Sequence, residues 1–350
     1  MKTLSDFEFR NQRVLVRCDF NVPLDEKGEI LDDFKIVQAL PTIHWLLEKQ
    51  AKIILMSHLG DPGGEPQAKL QLRPVKKCLE KYLSFPIVPI KDYFGSRSQE
   101  AINLLSGREV ILLENLRFHP EEEKGDLNFA RSLAGLADIY VNDAFAVCHR
   151  SHASLLVPNF LPSATGLLLE KEVTVLGRLR DNPRLPLVVI LGGQAKGLEA
   201  KLKLINLFSQ KASFVLLGGL VSQAIEDQGL SFEFPQKIVL ALDAPGALDA
   251  GPETLTIFQE KIAAAETVFW SGPLGRIEEK DFCQGSLALA NAIIDSRAFS
   301  VVGGGETAWF LKKEGLLSKF SHVSTGGDAM LLFLSGEKLP GIEALAKGMN

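Results

Sequence analysis

Short runs of aliphatic and β-branched residues alternate along this chain with longer stretches of helical periodicity, and few folds satisfy that alternation. Arg13–Val16, Lys52–Met56, Val110–Leu113, Ile139–Val141, Leu187–Leu191, Phe214–Leu217, Lys237–Leu240, Thr267–Trp270 and Phe299–Val302 read as short strands. Between them, Ile36–Lys49, Pro74–Tyr82, Leu127–Leu136, Lys201–Phe208 and Phe282–Ile294 place apolar residues three and four apart. Most strand runs are apolar throughout rather than alternating, as expected of strands covered on both faces, so the pattern predicts βαβ units and parallel sheets. The fold class is α/β.

A chain of 350 residues is long enough for two domains with separate cores. Thr165–Arg180 (TGLLLEKEVTVLGRLR) has helical periodicity and ends at Asp181-Asn182-Pro183, which places the connection between domains there. The segment after Leu339-Pro340-Gly341 is too short to fold alone and must pack on something larger. The composition, 46% hydrophobic and 23% charged, is that of a globule. A net charge of −5 offers no basic field for a polyanion, which argues against nucleic acid as a partner. The four cysteines, Cys18, Cys78, Cys148 and Cys283, are far apart and read as reduced thiols. No apolar run reaches the ~20 residues that span a bilayer, so no membrane partner is expected and the expected location is the cytoplasm.

In open parallel sheets ligands bind beyond the carboxyl ends of the strands, so the loops there are where chemistry is sought. In the first half they carry Arg17-Cys18-Asp19-Phe20-Asn21, Ser57-His58-Leu59-Gly60, Glu114-Asn115-Leu116-Arg117, Asn142-Asp143-Ala144-Phe145 and His149-Arg150-Ser151-His152. A lone histidine is more often structural than catalytic. Arg17, His58, Arg117, His149 and Arg150 in neighbouring loops nevertheless suit a pocket for a small phosphorylated acid, because guanidinium groups grip phosphate and carboxylate through forked hydrogen bonds. The acidic run Glu121–Glu123 reads as a solvated helix start.

The second half offers glycines instead: Gly192-Gly193, Gly218-Gly219, Ser271-Gly272-Pro273-Leu274-Gly275, Gly303-Gly304-Gly305-Glu306-Thr307 and Ser324-Thr325-Gly326-Gly327. Any one could be a tight turn. Together they read as a cradle for nucleotide phosphates, since glycine lets backbone amides approach an anion. Neither a Walker A loop nor a GxGxxG fingerprint is present.

The order and wording of these loops resemble phosphoglycerate kinase over nearly the whole chain. Arg17–Pro23, Ala39-Leu40-Pro41-Thr42-Ile43, Leu113–His119, Asn142–Phe145, His149–Ser154, Trp270–Gly275, Gly303–Thr307 and His322–Gly327 recur in family order. The resemblance implies two Rossmann-like three-layer α/β/α domains with parallel sheets, joined by a hinge helix. It assigns residues 1–164 to phosphoglycerate binding, 165–182 to the interdomain helix, 183–335 to nucleotide binding, and 336–350 to a tail packing back on the first domain. It implies a monomeric hinge-bending enzyme passing a phosphoryl group between 1,3-bisphosphoglycerate and ADP, giving 3-phosphoglycerate and ATP, with Mg²⁺. On the substrate side it points to Asp19, Asn21, Lys35, His58, Asp61, Arg117 and Arg150. On the nucleotide side it points to Lys196 or Lys201, Glu278 and Gly303, Gly304, Gly305, Glu306 and Thr307, with Glu306 on the metal. Lys35, Lys196, Lys201, Gly304 and Gly305 are the residues it assigns to catalysis.

Several family positions are changed. Lys35 and Asp61 stand where the family has arginine, Ser271 replaces Asn, Glu306 replaces Asp and Asp328 replaces Gly. The stretch from Gly219 to Asp249 is shorter than the family norm, which predicts weaker and less base-selective nucleotide binding. A second class of function is a family member that kept the fold as a binding or regulatory protein and lost the chemistry.

Overall fold

The computed structural model describes residues 1–193, 198–244 and 248–348, which divide into two compact units: Met1–Val173 with Lys338–Asn350, and Thr174–Glu337. Each unit is built on a six-stranded, all-parallel sheet.

The strands of the first unit are β1 (Arg13–Arg17), β2 (Lys52–Met56), β3 (Ile87–Ile90), β4 (Val110–Leu113), β5 (Ile139–Asn142) and β6 (Ser163–Thr165), in the order β3-β4-β2-β1-β5-β6. Their helices are α1 (Phe34–Glu48), α2 (Arg73–Tyr82), α3 (Ser96–Asn103), α4 (Pro120–Lys124), α5 (Leu127–Ala134) and the start of α6 (Leu167–Asp181). Val14, Leu15 and Val16 are all wholly buried because helices cover both faces of the sheet, and this is why the strand runs do not alternate. Val14, Val16, Ile53, Leu55 and Val110 pack with Ile36 and Ile43 of α1 and Val75 and Leu79 of α2.

In the second unit, β7 (Leu187–Leu191), β8 (Phe214–Leu217), β9 (Ile238–Val239), β10 (Thr267–Ser271), β11 (Phe299–Gly303) and β12 (His322–Val323) lie in the order β12-β11-β10-β7-β8-β9. The helices are α7 (Leu198–Lys211), α8 (Gly219–Asp227), α9 (Pro252–Ala263), α10 (Gln284–Ser296), α11 (Gly305–Lys313) and α12 (Asp328–Leu334). A last helix, α13 (Pro340–Lys347), belongs to the first unit, where the Gly341 amide donates to the Cys148 carbonyl at 2.9 Å. Val188, Ile190, Val268, Trp270 and Val302 form the second core with Phe258, Ile262, Leu289 and Phe310.

The switch of strand order places β1 beside β2 and β5, so the loops after β1, β2, β4 and β5 come together at one sheet edge. In the second unit the loops after β7, β10 and β11 do the same. The short route from β9 to α9 is closed by side chains. Asp243 accepts from the amides of Glu253 and Thr254 at 2.9 and 2.7 Å, and the Thr254 hydroxyl accepts from the Leu242 amide at 3.0 Å.

Candidate active site

In the first unit the strand-end loops are tied to one another before any ligand is considered. Asn115, wholly buried after β4, caps the turn Leu116–Phe118 by accepting from the Arg117 amide at 3.1 Å. Its amide nitrogen donates to the carbonyls of Leu59 and Leu70 at 2.7 and 2.9 Å. Asn21 accepts from the Gly60 amide at 2.9 Å, joining the β1 loop to the β2 loop. Arg117 then donates to the Gly60 carbonyl at 2.8 Å, with its Nε 3.2 Å from Glu123.

Asp19 is 6% exposed, and its Oδ2 accepts from Lys35 Nζ at 2.7 Å. Burial pushes the Asp19 carboxyl up, but its neighbours, Lys35 foremost, outweigh burial and hold the group at about 2. His58 is nearly buried, and burial drives it well below its usual value despite the nearby Asp19. His152 is brought down to about 3 by burial and by Arg17, Arg117 and Arg150. The structure therefore brings Asp19, Asn21, His58 and Arg117 of these loops together with Lys35 of the first turn of α1. Arg150 and Asp61 are exposed, and His149 is half-buried.

Two sequence expectations change here. Arg17 is wholly buried, so it supports the loops from below instead of facing a ligand. Its Nε donates to Ser154 Oγ at 3.0 Å and its Nη1 to the Cys18 carbonyl. The acidic run does start a helix, α4, but it is not solvated throughout. Glu122 is wholly buried and accepts from the Ser154 amide and hydroxyl at 2.8 and 2.6 Å, while Glu123 pairs with Arg117.

In the second unit the loops after β7 and β10 pack backbone to backbone. The Gly192 amide donates to Ser271 O at 2.9 Å and the Gly193 amide to Pro273 O at 2.6 Å. A Cβ at position 192 would lie 2.2 Å from the Pro273 oxygen, so only glycine fits. Beside them is a cavity of ≈ 320 Å³ whose lining includes Gly193, Leu220, Leu274, Arg276, Glu278 and Glu306. The Arg276 amide donates to Leu248 O at 2.9 Å, so the segment just before α9 braces this wall.

Lys201 lies at the same loop, its Nζ donating to the Gly192 carbonyl at 2.7 Å, and burial lowers its pKa against the pull of Glu306. Lys196 lies outside the described residues. Gly304 has φ +93° at the start of α11, and Gly305 is exposed. Gly303 and Thr307 face inward instead. A Cβ on Gly303 would meet Met330 at 2.2 Å, and the buried Thr307 hydroxyl accepts from the Gly272 amide at 3.0 Å. Both hold the loop. Asp328 is exposed in the first turn of α12, where a carboxylate suits the helix dipole.

Comparison with known proteins bears directly on these two sets of loops. The family model for phosphoglycerate kinase matches residues 4–232 and 235–337. The chain belongs to the phosphoglycerate kinase family. A phosphoglycerate kinase of Pelotomaculum thermopropionicum is 39% identical to it, over 98% of each chain, and one of Moorella thermoacetica is 40% identical over 99% of each. Both alignments run to 390 positions, more than the 350 residues here, so relatives carry residues that this chain lacks. Among solved structures, the phosphoglycerate kinase of Pyrococcus horikoshii covers 99% of this chain and 98% of its own, with TM-score 0.88 and 31% identity. That of Coxiella burnetii has TM-score 0.82 and 32% identity over the same shares. These likenesses support a kinase and not the non-catalytic alternative.

The sequence assigns no role to Ser154 or Asn115, and it places Glu122 in a solvated helix start instead of a buried contact. The signal for Glu122 was its place one turn beyond Arg117, in a segment already supplying cations. A carboxylate there has a partner at hand, and a buried charge needs one.

Proposed function

We propose that the chain transfers a phosphoryl group reversibly between 1,3-bisphosphoglycerate and ADP, giving 3-phosphoglycerate and ATP in glycolysis and gluconeogenesis. The observation that carries this reading is the convergence of Asp19, Asn21, Lys35, His58 and Arg117 on one sheet edge of the first unit, with Arg150 in an adjoining loop. In the reverse direction the carboxylate oxygen of 3-phosphoglycerate attacks the γ-phosphorus of ATP. The bond from that phosphorus to the bridging oxygen breaks, and ADP leaves with the electron pair. The nucleophile is already ionised at neutral pH, so no general base is required and catalysis is positioning plus charge stabilisation.

Residues 1–164 would bind the phosphorylated acid and 183–335 the nucleotide. Glu278, Leu220 and Leu274 line a cavity suited to nucleoside binding, with Lys201 and the amides of Gly304 and Gly305 available to phosphates. Among the described residues no three His, Cys, Asp or Glu side chains gather as a full metal shell. Kinases bind Mg²⁺ through one or two carboxylates plus substrate phosphates, and Glu306 on the cavity lining is a carboxylate that could serve in this way. Mg²⁺ bound there would neutralise phosphate charge. Direct transfer requires a closed, water-excluding state, and we place the hinge at residues 165–182. We also propose that the enzyme acts as a cytoplasmic monomer with neither nucleic acid nor membrane as partner. No helix among the described residues is long and apolar enough to cross a membrane.

Calorimetry tests the substrate side. Arg150→Ala should weaken 3-phosphoglycerate binding about tenfold, the effect of losing one charged hydrogen bond at an exposed position. Unchanged affinity would remove Arg150 from the site.

A further inference from the structure

His58 stands at the centre of the substrate-side loops, and what it can offer a ligand depends on which nitrogen carries its proton. Arg17 Nη2 lies 3.3 Å from His58 Nδ1. A guanidinium has five donors and no acceptor, so this contact is a hydrogen bond only if Nδ1 is the unprotonated nitrogen. The competing partner, Asp19 Oδ1, is 3.8 Å from the same nitrogen, beyond hydrogen-bond range, and Asp19 is already satisfied by Lys35 at 2.7 Å.

Arg17 is held in place from the other side. Its Nε donates to Ser154 Oγ at 3.0 Å, and that hydroxyl in turn donates a hydrogen bond to Glu122 Oε1 at 2.6 Å. The Ser154 amide donates to Glu122 Oε2 at 2.8 Å, and Arg17 Nη2 lies 4.0 Å from Glu122 Oε1. Arg17, Glu122 and Ser154 are all wholly buried, so none can be recruited by solvent or ligand without disturbing the others. Of the five donors of this buried cation, one goes to Ser154 and one to the Cys18 carbonyl, and Nη2 faces the imidazole.

We infer that Glu122 and Ser154 are positioning residues that hold Arg17 against His58, fixing His58 as the neutral tautomer with its proton on Nε2. The inference rests on the functional reading only in taking these loops as the acid-binding site. Its consequence is that His58 adds a hydrogen-bond donor and no charge, leaving Lys35, Arg117 and Arg150 as the cations of this unit's site. The charged groups acting on the ring are Asp19, Arg17, Arg117 and Lys35. Burial and the three cations act against protonation and only Asp19 acts for it.

The test is ¹⁵N NMR of the imidazole nitrogens in the full-length protein without ligand, followed from about pH 5.5 to pH 8, the range in which an ordinary histidine titrates. The expected result is a pyridine-type Nδ1 and a pyrrole-type Nε2 for His58, unchanged across that range. An imidazolium signal at the acid end, or a protonated Nδ1, overturns the inference. The paired variant Arg17→Met with Glu122→Gln removes both members of the buried ion pair together, so that neither charge is stranded. In it His58 should begin to titrate or populate both tautomers, and a folded variant with unchanged His58 signals also overturns the inference. Because neither readout uses turnover, failure of the proposed phosphoryl transfer and failure of this inference are told apart.

Discussion

Lys35 Nζ closes on Asp19 Oδ2 at 2.7 Å, so the lysine spends its charge on a neighbouring carboxylate. Lys35 is 30% exposed on its side chain and Asp19 only 6%, which makes the lysine the screen that lets a nearly buried carboxylate stay ionised.

Asp19 is held at about 2 in the folded chain, against an ordinary value of 3.8, so its contribution to stability is present above the ordinary value and is lost as pH falls through about 2. Lys35→Met leaves that carboxylate buried without its partner. The variant should lose about 2 kcal/mol at neutral pH, less than for a fully buried pair because Lys35 is partly solvated. The deficit should narrow on acidification, as the carboxyl becomes neutral in both proteins. Denaturant melts at several pH values check this, and a pH-independent deficit would contradict it.

Asp143 works in the opposite sense. Its Oδ1 accepts from the amides of Leu168 and Leu169 at the start of α6, at 2.9 and 3.3 Å, and burial pushes its carboxyl from 3.8 up to about 7. The folded state binds this proton more tightly than the unfolded state, so stability is greatest below the unfolded value and falls as pH rises toward 7. Asp143→Asn keeps the acceptor and removes the charge. Its melting temperature should exceed the wild type's at pH 8 by an amount equivalent to roughly 2 kcal/mol and match it near pH 4. A constant difference would show that the group does not titrate.

Asp61 is exposed, so the repulsion expected between it and a bound phosphate is screened. Asp61→Arg should leave stability within about 0.5 kcal/mol and lower the KM for 3-phosphoglycerate about threefold at low salt, with the gain fading at high salt. A change in kcat, or a salt-independent effect, would place Asp61 in direct contact with the ligand.

Gly303 packs where a Cβ would strike the buried Met330, so Gly303→Ala should cost about 1–3 kcal/mol through overpacking. Added to Met330→Ala, the same substitution should cost much less, because the truncated side chain leaves room. Additive costs in chemical denaturation would show that the glycine is required for another reason.

The sequence carried the central strands clearly and the edges poorly. Ile87–Ile90, Ser163–Thr165 and His322–Val323 were not foreseen, and all three are edge strands. β3 contains Pro89, which an edge tolerates because one side of it needs no ladder, and β6 and β12 have three and two residues, too few to show a period. In the site, residue types exposed at strand ends could be read as candidate ligands, but burial could not. Arg17 and Arg117 look alike in the sequence, yet Arg17 is enclosed with Ser154 and Glu122 while Arg117 remains part of the loop surface. Only the packing of α4 and the Ala153–Leu155 turn against β1 separates them. Gly303 and Gly304 look equally alike, and the difference lies in Met330.

The most direct test of the account is a coupled assay of the purified chain with 3-phosphoglycerate, ATP and Mg²⁺, reading ADP and acyl phosphate together. Turnover should depend on all three and yield the two products in equal amounts. A folded protein that binds both 3-phosphoglycerate and ATP yet forms neither product would contradict it.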